Sequence, residues 1–219
     1  MAVEIYKLAI LIVASVSFAR FGAIIVGILR AFRNYRRASA THWGLVELMT
    51  WPEMFVLMGV TLYLFVNRTT PSNVAGLTLL AALVGVALAL VAVVVSAWAF
   101  VSLPTVSTGH YVLNAQPVVQ KGPYRWVRHP IYLGVFLIWL ALALAFGSVF
   151  TFLLAALYVF PAYILYMRSE EQMMAASYGA EYTSYCRKTG MLFPRLRRGA
   201  ARNFPVNNPL RGGKAGRLG

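Results

Sequence analysis

The sequence predicts an all-α, polytopic integral membrane protein with about five transmembrane helices and a C-terminal cytoplasmic helical segment. Three observations carry that expectation. Hydrophobic residues make up 60% of the 219-residue chain and charged ones only 12%, against about 25% charged in a typical globular domain. Apolar runs recur at the length a bilayer demands. The net charge of +14 collects at the ends of those runs and is not spread over a foldable soluble domain. So little polar surface cannot cover the chain in water, which leaves lipid as the solvent.

A hydrocarbon core of about 30 Å needs roughly 20 apolar residues per helix. The first span runs from about Ile5 to Leu29, interrupted by Arg20. The second runs from about Leu45 to Val66, with Glu47, Pro52 and Glu53 in its first turns. The third, from about Val74 to Val101, contains no charge. A fourth (Ile131–Phe146) and a fifth (Val149–Met167) are separated by Gly147 and Ser148, which reads as a tight helical hairpin. Ser169–Tyr185 then has helix-forming content, broken at Tyr178-Gly179, and residues 199–219 form a basic tail too rich in Gly, Pro, Asn and Arg to fold. The expected organisation is three N-terminal spans in 1–104, a catalytic region in 105–198 and the tail in 199–219.

Loop charges set the expected orientation. Arg30, Arg33, Arg36 and Arg37 follow the first span, Lys121, Arg125 and Arg128 precede the fourth, and Lys and Arg recur after Arg168. Lys7 and Arg68 face the other way. The positive-inside rule then places the N-terminus outside and the C-terminus in the cytoplasm, and the short loops point to a bacterial inner membrane. The same pattern assigns the charge to membrane lipids and excludes nucleic acid, for which no recognition motif is present. Cys186 is the sole cysteine, so no intrachain disulfide can form, and His42, His110 and His129 show no metal-ligand spacing. No metal is expected.

The chemistry-bearing sequence lies between the spans. Gly122-Pro123-Tyr124-Arg125-Trp126-Val127-Arg128-His129-Pro130-Ile131-Tyr132-Leu133-Gly134 puts Arg128 and His129 at a helix start, with Pro130 where a first turn tolerates it. Interfacial anchoring accounts for Tyr124, Arg125 and Trp126, but not for a proline and two glycines punctuating the same stretch. Glu170-Glu171 follows the fifth span in a chain with six acidic residues and no aspartate. A solvated helix start would explain the pair alone. The hairpin, however, brings its two chain ends together, so both features meet on one face. Arginine, histidine, paired carboxylates and tyrosines there can hold a zwitterionic cofactor beside lipid.

The order of these pieces resembles the isoprenylcysteine carboxyl methyltransferase family and its phospholipid-methyltransferase relatives. That family shows Gly-Pro-Tyr-Arg-x-x-Arg-His-Pro-x-Tyr-x-Gly, a helical hairpin, Glu-Glu, Gly-x-Glu-Tyr-x-x-Tyr and a late proline; the match here runs from Gly122 to Pro194. The resemblance implies a membrane-embedded, S-adenosylmethionine-dependent methyltransferase acting on a lipophilic small-molecule or lipid-linked acceptor, with a carboxylate, an amine and a thiol all open. It places Tyr124, Arg128, His129, Pro130, Tyr132, Gly134, Glu170, Glu171, Tyr182 and Tyr185 about the cofactor, and Arg128 and Arg187 in catalysis near the acceptor. The family usually has Val-Pro or a similar pair after the final tyrosine, where this chain has Lys188-Thr189-Gly190. The competing readings are an NADPH-dependent enzyme of the sterol-C14-reductase type and a non-catalytic membrane scaffold. Gly122-Pro123-Tyr124, Pro130 and Glu170-Glu171 depart from the reductase pattern. A pathway through the spans would need charges there, and Arg20 is the main one.

Overall fold

The computed structural model describes residues 1–34, 38–41, 50, 52–68, 76–103, 111–113 and 118–195. The calls on Arg36, Arg37, His42, Glu47, His110 and the 199–219 tail lie outside these. The described chain is helical: α1 (Ala2–Asn34), α2 (Glu53–Arg68), α3 (Gly76–Ser102), α4 (Pro130–Ala145), α5 (Val149–Tyr178) and α6 (Ala180–Lys188). Three helical segments are long and apolar enough to cross a bilayer: Ala2–Ala23, Gly76–Ser102 and Val149–Tyr178. The helices α2 and α4 are shorter, at 16 residues each, or about 24 Å at 1.5 Å per residue.

The all-α membrane class holds, and two features differ from expectation. The described part of the second helix begins at Glu53, and the expected start near Leu45 lies outside the described residues. The fifth does not end at Met167 but continues to Tyr178, so Glu170 and Glu171 sit within a continuous helix. A π turn at Ala155–Val159 lies inside it; Pro161 has no N–H to donate one turn back, and the wider turn makes room for its ring. Lastly, the loops after α1 and α3 contribute β1 (Ala38–Thr41) and β2 (Tyr111–Leu113), paired antiparallel with Thr41 opposite Tyr111. This ribbon ties the segment after α1 to the segment after α3.

Small residues explain the tightest packing. Ala82, Gly85, Ala89, Ala92 and Ala99 line one face of α3 at helical spacing and are buried, while Leu80, Leu83, Val91 and Val94 face outward. With no water to expel in lipid, close backbone approach is what holds helices together. A Cβ on Gly85 would stand 2.8 Å from the Ala141 carbonyl oxygen, and one on Gly134 would strike the Ser96 hydroxyl. Gly134 therefore marks the contact of α4 with α3.

Gly122 opens the 3₁₀ turn Gly122–Arg125 with φ of 59°, and a Cβ there would collide with the Ser102 side chain. Trp126, just past the turn, meets Trp98 of α3 edge-on at 5.4 Å between ring centroids. Gly122→Ala is expected to lower stability by about 1–3 kcal/mol, because the left-handed backbone and the clash act together. A thermal midpoint in detergent equal to that of the parent protein would contradict this account of the turn.

Candidate active site

Backbone hydrogen bonds build the site before any side chain does. The Arg128 N–H donates to the Gly190 carbonyl at 2.8 Å and the His129 N–H to the Met191 carbonyl at 3.1 Å, while the Gly190 N–H returns to the Trp126 carbonyl at 3.2 Å. This parallel bridge, centred on Val127 and Gly190, ties the strand-like entry to α4 onto the exit from α6. The Tyr185 hydroxyl adds a further tie by donating to the Tyr124 carbonyl at 2.8 Å. His129 then occupies the N-cap of α4 and Pro130 its first turn, where the missing N–H of proline is harmless.

The side chains converge on Glu171. Arg128 donates through Nε to Glu171 Oε1 at 2.6 Å and through Nη1 to the carbonyls of Cys186 and Thr189. His129 Nε2 lies 3.1 Å from the same Glu171 oxygen, and its Nδ1 lies 3.6 Å from Glu170 Oε2. Both partners of the Arg128–Glu171 pair are sealed, at 7% and 4% side-chain exposure, so the pair is desolvated and each member depends on the other. Glu171 falls on the buried stripe of α5 with Tyr163, Tyr166, Met167 and Ala175, which is why the helix must run through it.

Electrostatics favour the charged form of Arg128 and the neutral forms of the tyrosines around it. Burial alone would lower the Arg128 pKa, but the hydrogen bond and charge of Glu171 outweigh it and hold the guanidinium above its ordinary value. Burial pushes the hydroxyls of Tyr124, Tyr182 and Tyr185 and the Cys186 thiol upward. These groups stay protonated, and the Tyr185 hydroxyl is a donor to the Tyr124 carbonyl.

One atom is left over. Glu170 Oε2 is buried and accepts no hydrogen bond among the described residues. An orphaned carboxylate oxygen in a closed site is costly unless something donates to it. No bond to Arg128 Nη2 is found among the described residues either.

Residues 80–181 match the family model described as phospholipid methyltransferase. This segment is similar to that family. The matched segment begins within α3, takes in the 122–134 motif and the α4–α5 hairpin, and ends in the first turn of α6. No curated protein and no solved structure matches the chain. The match supports a membrane methyltransferase.

Of the residues expected from sequence, the fold brings Arg128, His129, Glu170 and Glu171 into one cluster. Tyr132 stacks on the His129 ring at 5.5 Å, and Tyr124, Tyr182 and Tyr185 are buried around it. Pro130 starts the helix, and Gly134 points its missing side chain toward α3. Arg187 does not join them. It lies on the exposed face of α6 and, with Gly179, Ala180, Thr183 and Ser184, lines a shallow open depression, because Tyr182, Tyr185 and Cys186 occupy the inward face. Its carbonyl accepts from Arg195 at 2.8 Å.

Sequence reasoning missed the Thr189 and Cys186 carbonyls and the Gly190–Met191 backbone, since any residue type offers those groups. It also placed Arg20 in the first span and Glu53 in the second without pairing them. In the fold Arg20 Nη1 reaches Glu53 Oε1 at 3.4 Å, and Glu53 further accepts from Trp139 Nε1 at 2.6 Å and from the Tyr163 hydroxyl at 3.0 Å. A lone Trp and a Tyr on the facing helices were the available signal.

Proposed function

We propose that the protein is an S-adenosylmethionine-dependent methyltransferase of the membrane, acting on a lipophilic acceptor that enters from the bilayer. The observation that carries this reading is the buried Glu170 oxygen without a donor, set beside an arginine, a histidine and a second carboxylate in the family's own motif. An amino acid moiety with an ammonium and a carboxylate complements that set: the ammonium or a hydroxyl suits Glu170, and the carboxylate suits the open edge of Arg128. When bound, the cofactor supplies an activated methyl group on a sulfonium.

In this reading the residues mainly bind, orient and exclude water, because methyl transfer needs in-line approach more than a strong acid or base. Glu171 holds Arg128 in place, and Arg128 in turn fixes the loop after α6 through the Cys186 and Thr189 carbonyls. Tyr132 covers His129 from the membrane side. A carboxylate acceptor is already ionised and would need only Arg128 to position it. An amine or thiol must shed a proton, and His129 is placed to take it. Arg187 has no part in this reading, since it faces away from the cluster. The basic loops would lie in the cytoplasm, with the N-terminus outside.

The test separates cofactor classes. Purified protein in detergent should bind S-adenosylmethionine or its demethylated product by calorimetry, and Glu170→Ala should weaken that binding about 10- to 100-fold, the worth of a charge-assisted bond. Because Glu170, unlike Glu171, is not the counter-charge of Arg128, its removal should leave the melting temperature nearly unchanged. Binding of NADPH with no heat from either methionine derivative would replace this reading with the reductase one.

A further inference from the structure

We propose that Glu53 and Tyr163 are positioning residues for the methyl-donor site, holding the Tyr132 ring against His129 from the membrane interior. This rests on the reading of Arg128, His129, Glu170 and Glu171 as that site. It concerns residues of which Glu53 lies outside the matched family segment.

Glu53 is 1% exposed, although it begins a helix. Its two oxygens collect donors from three other helices: Arg20 of α1, Trp139 of α4 and Tyr163 of α5. A buried ion pair is a poor way to gain stability, because desolvation offsets most of the attraction and apolar side chains of similar size do as well. Ionisable side chains within membrane spans are rare, and they mark functional positions more often than structural ones. Stability alone therefore does not explain this arrangement.

What lies beside it does. The Tyr163 hydroxyl donates to Glu53 Oε2 at 3.0 Å, which fixes the rotation of its ring. That ring contacts Tyr132 at 5.5 Å between centroids, and Tyr132 is flanked edge-on by Tyr166 at 5.6 Å. Tyr132 in turn lies nearly parallel to His129, with 25° between the planes. Phe136 and Phe160 close the wedge below, 4.5 Å apart. The two legs of the hairpin are thus held apart by rings, and the Tyr163 ring is tied through its hydroxyl to the Glu53 carboxylate. Releasing that anchor lets Tyr163 turn, and Tyr132 loses its backstop.

Tyr163→Phe removes the anchor and keeps the ring, so the fold should survive. Calorimetry with S-adenosylhomocysteine as the probe should show binding weakened about 3- to 10-fold in this variant, with the melting temperature lowered only slightly. In a Tyr132→Ala background the same substitution should change affinity no further, because the intermediary is gone. A structural role alone would lower the melting temperature and leave affinity untouched. Affinity within twofold of the parent protein, or an equal loss in the Tyr132→Ala background, overturns the proposal while leaving the methyltransferase reading intact. Failure of the parent protein itself to bind the probe overturns both.

Discussion

Arg128→Ala is expected to reduce S-adenosylmethionine affinity by more than about 100-fold and to destabilise the protein by about 3–5 kcal/mol. Both effects have one origin. Arg128 is the sealed counter-charge of Glu171 and the donor to the Cys186 and Thr189 carbonyls. Its loss leaves a buried carboxylate held by His129 alone and frees the chain that follows α6. Arg128→Lys should recover little, since an ammonium cannot reach the carboxylate and two carbonyls in the geometry of a planar fork. Thermal unfolding in detergent and calorimetric titration measure the two halves separately. An alanine variant that melts and binds like the parent protein would remove Arg128 from the centre of the site.

The second large effect is expected in the membrane interior. Glu53→Ala strands the Arg20 guanidinium and deprives Trp139 and Tyr163 of their acceptor, a cost of about 3–5 kcal/mol. The double replacement Arg20→Met with Glu53→Met should be milder, because no uncompensated charge remains. Comparing melting midpoints decides the matter. A double variant as unstable as Glu53→Ala would mean that the indole and phenol hydrogen bonds, and not the charge, dominate.

Much of this fold was legible from residue chemistry alone. Apolar runs of bilayer length locate helices because lipid satisfies no backbone group, so a spanning segment must satisfy its own. The hairpin at Gly147-Ser148, the break at Gly179 and the start of α4 at Pro130 follow from turn and proline geometry. Less legible was the length of α5. A charged pair after an apolar run reads as an exit from the membrane, yet Glu170 and Glu171 continue the helix beside Arg128 and His129, which lie just ahead of α4. The pairing of β1 with β2 was likewise invisible, being a contact between loops about 70 residues apart.

For the site, sequence by itself picked out Arg128, His129, Glu170 and Glu171, and the fold gathers these four into one polar cluster in the matched segment. Their types, and the hairpin between them, sufficed because charge is so rare in this chain. Tertiary structure alone decided their roles. It engages Glu171 with Arg128 and His129, leaves one oxygen of Glu170 open, turns Arg187 outward and joins Arg20 to Glu53. The reason is that a side chain's partner depends on helix phase and depth, which angstrom-scale packing sets and no local pattern encodes.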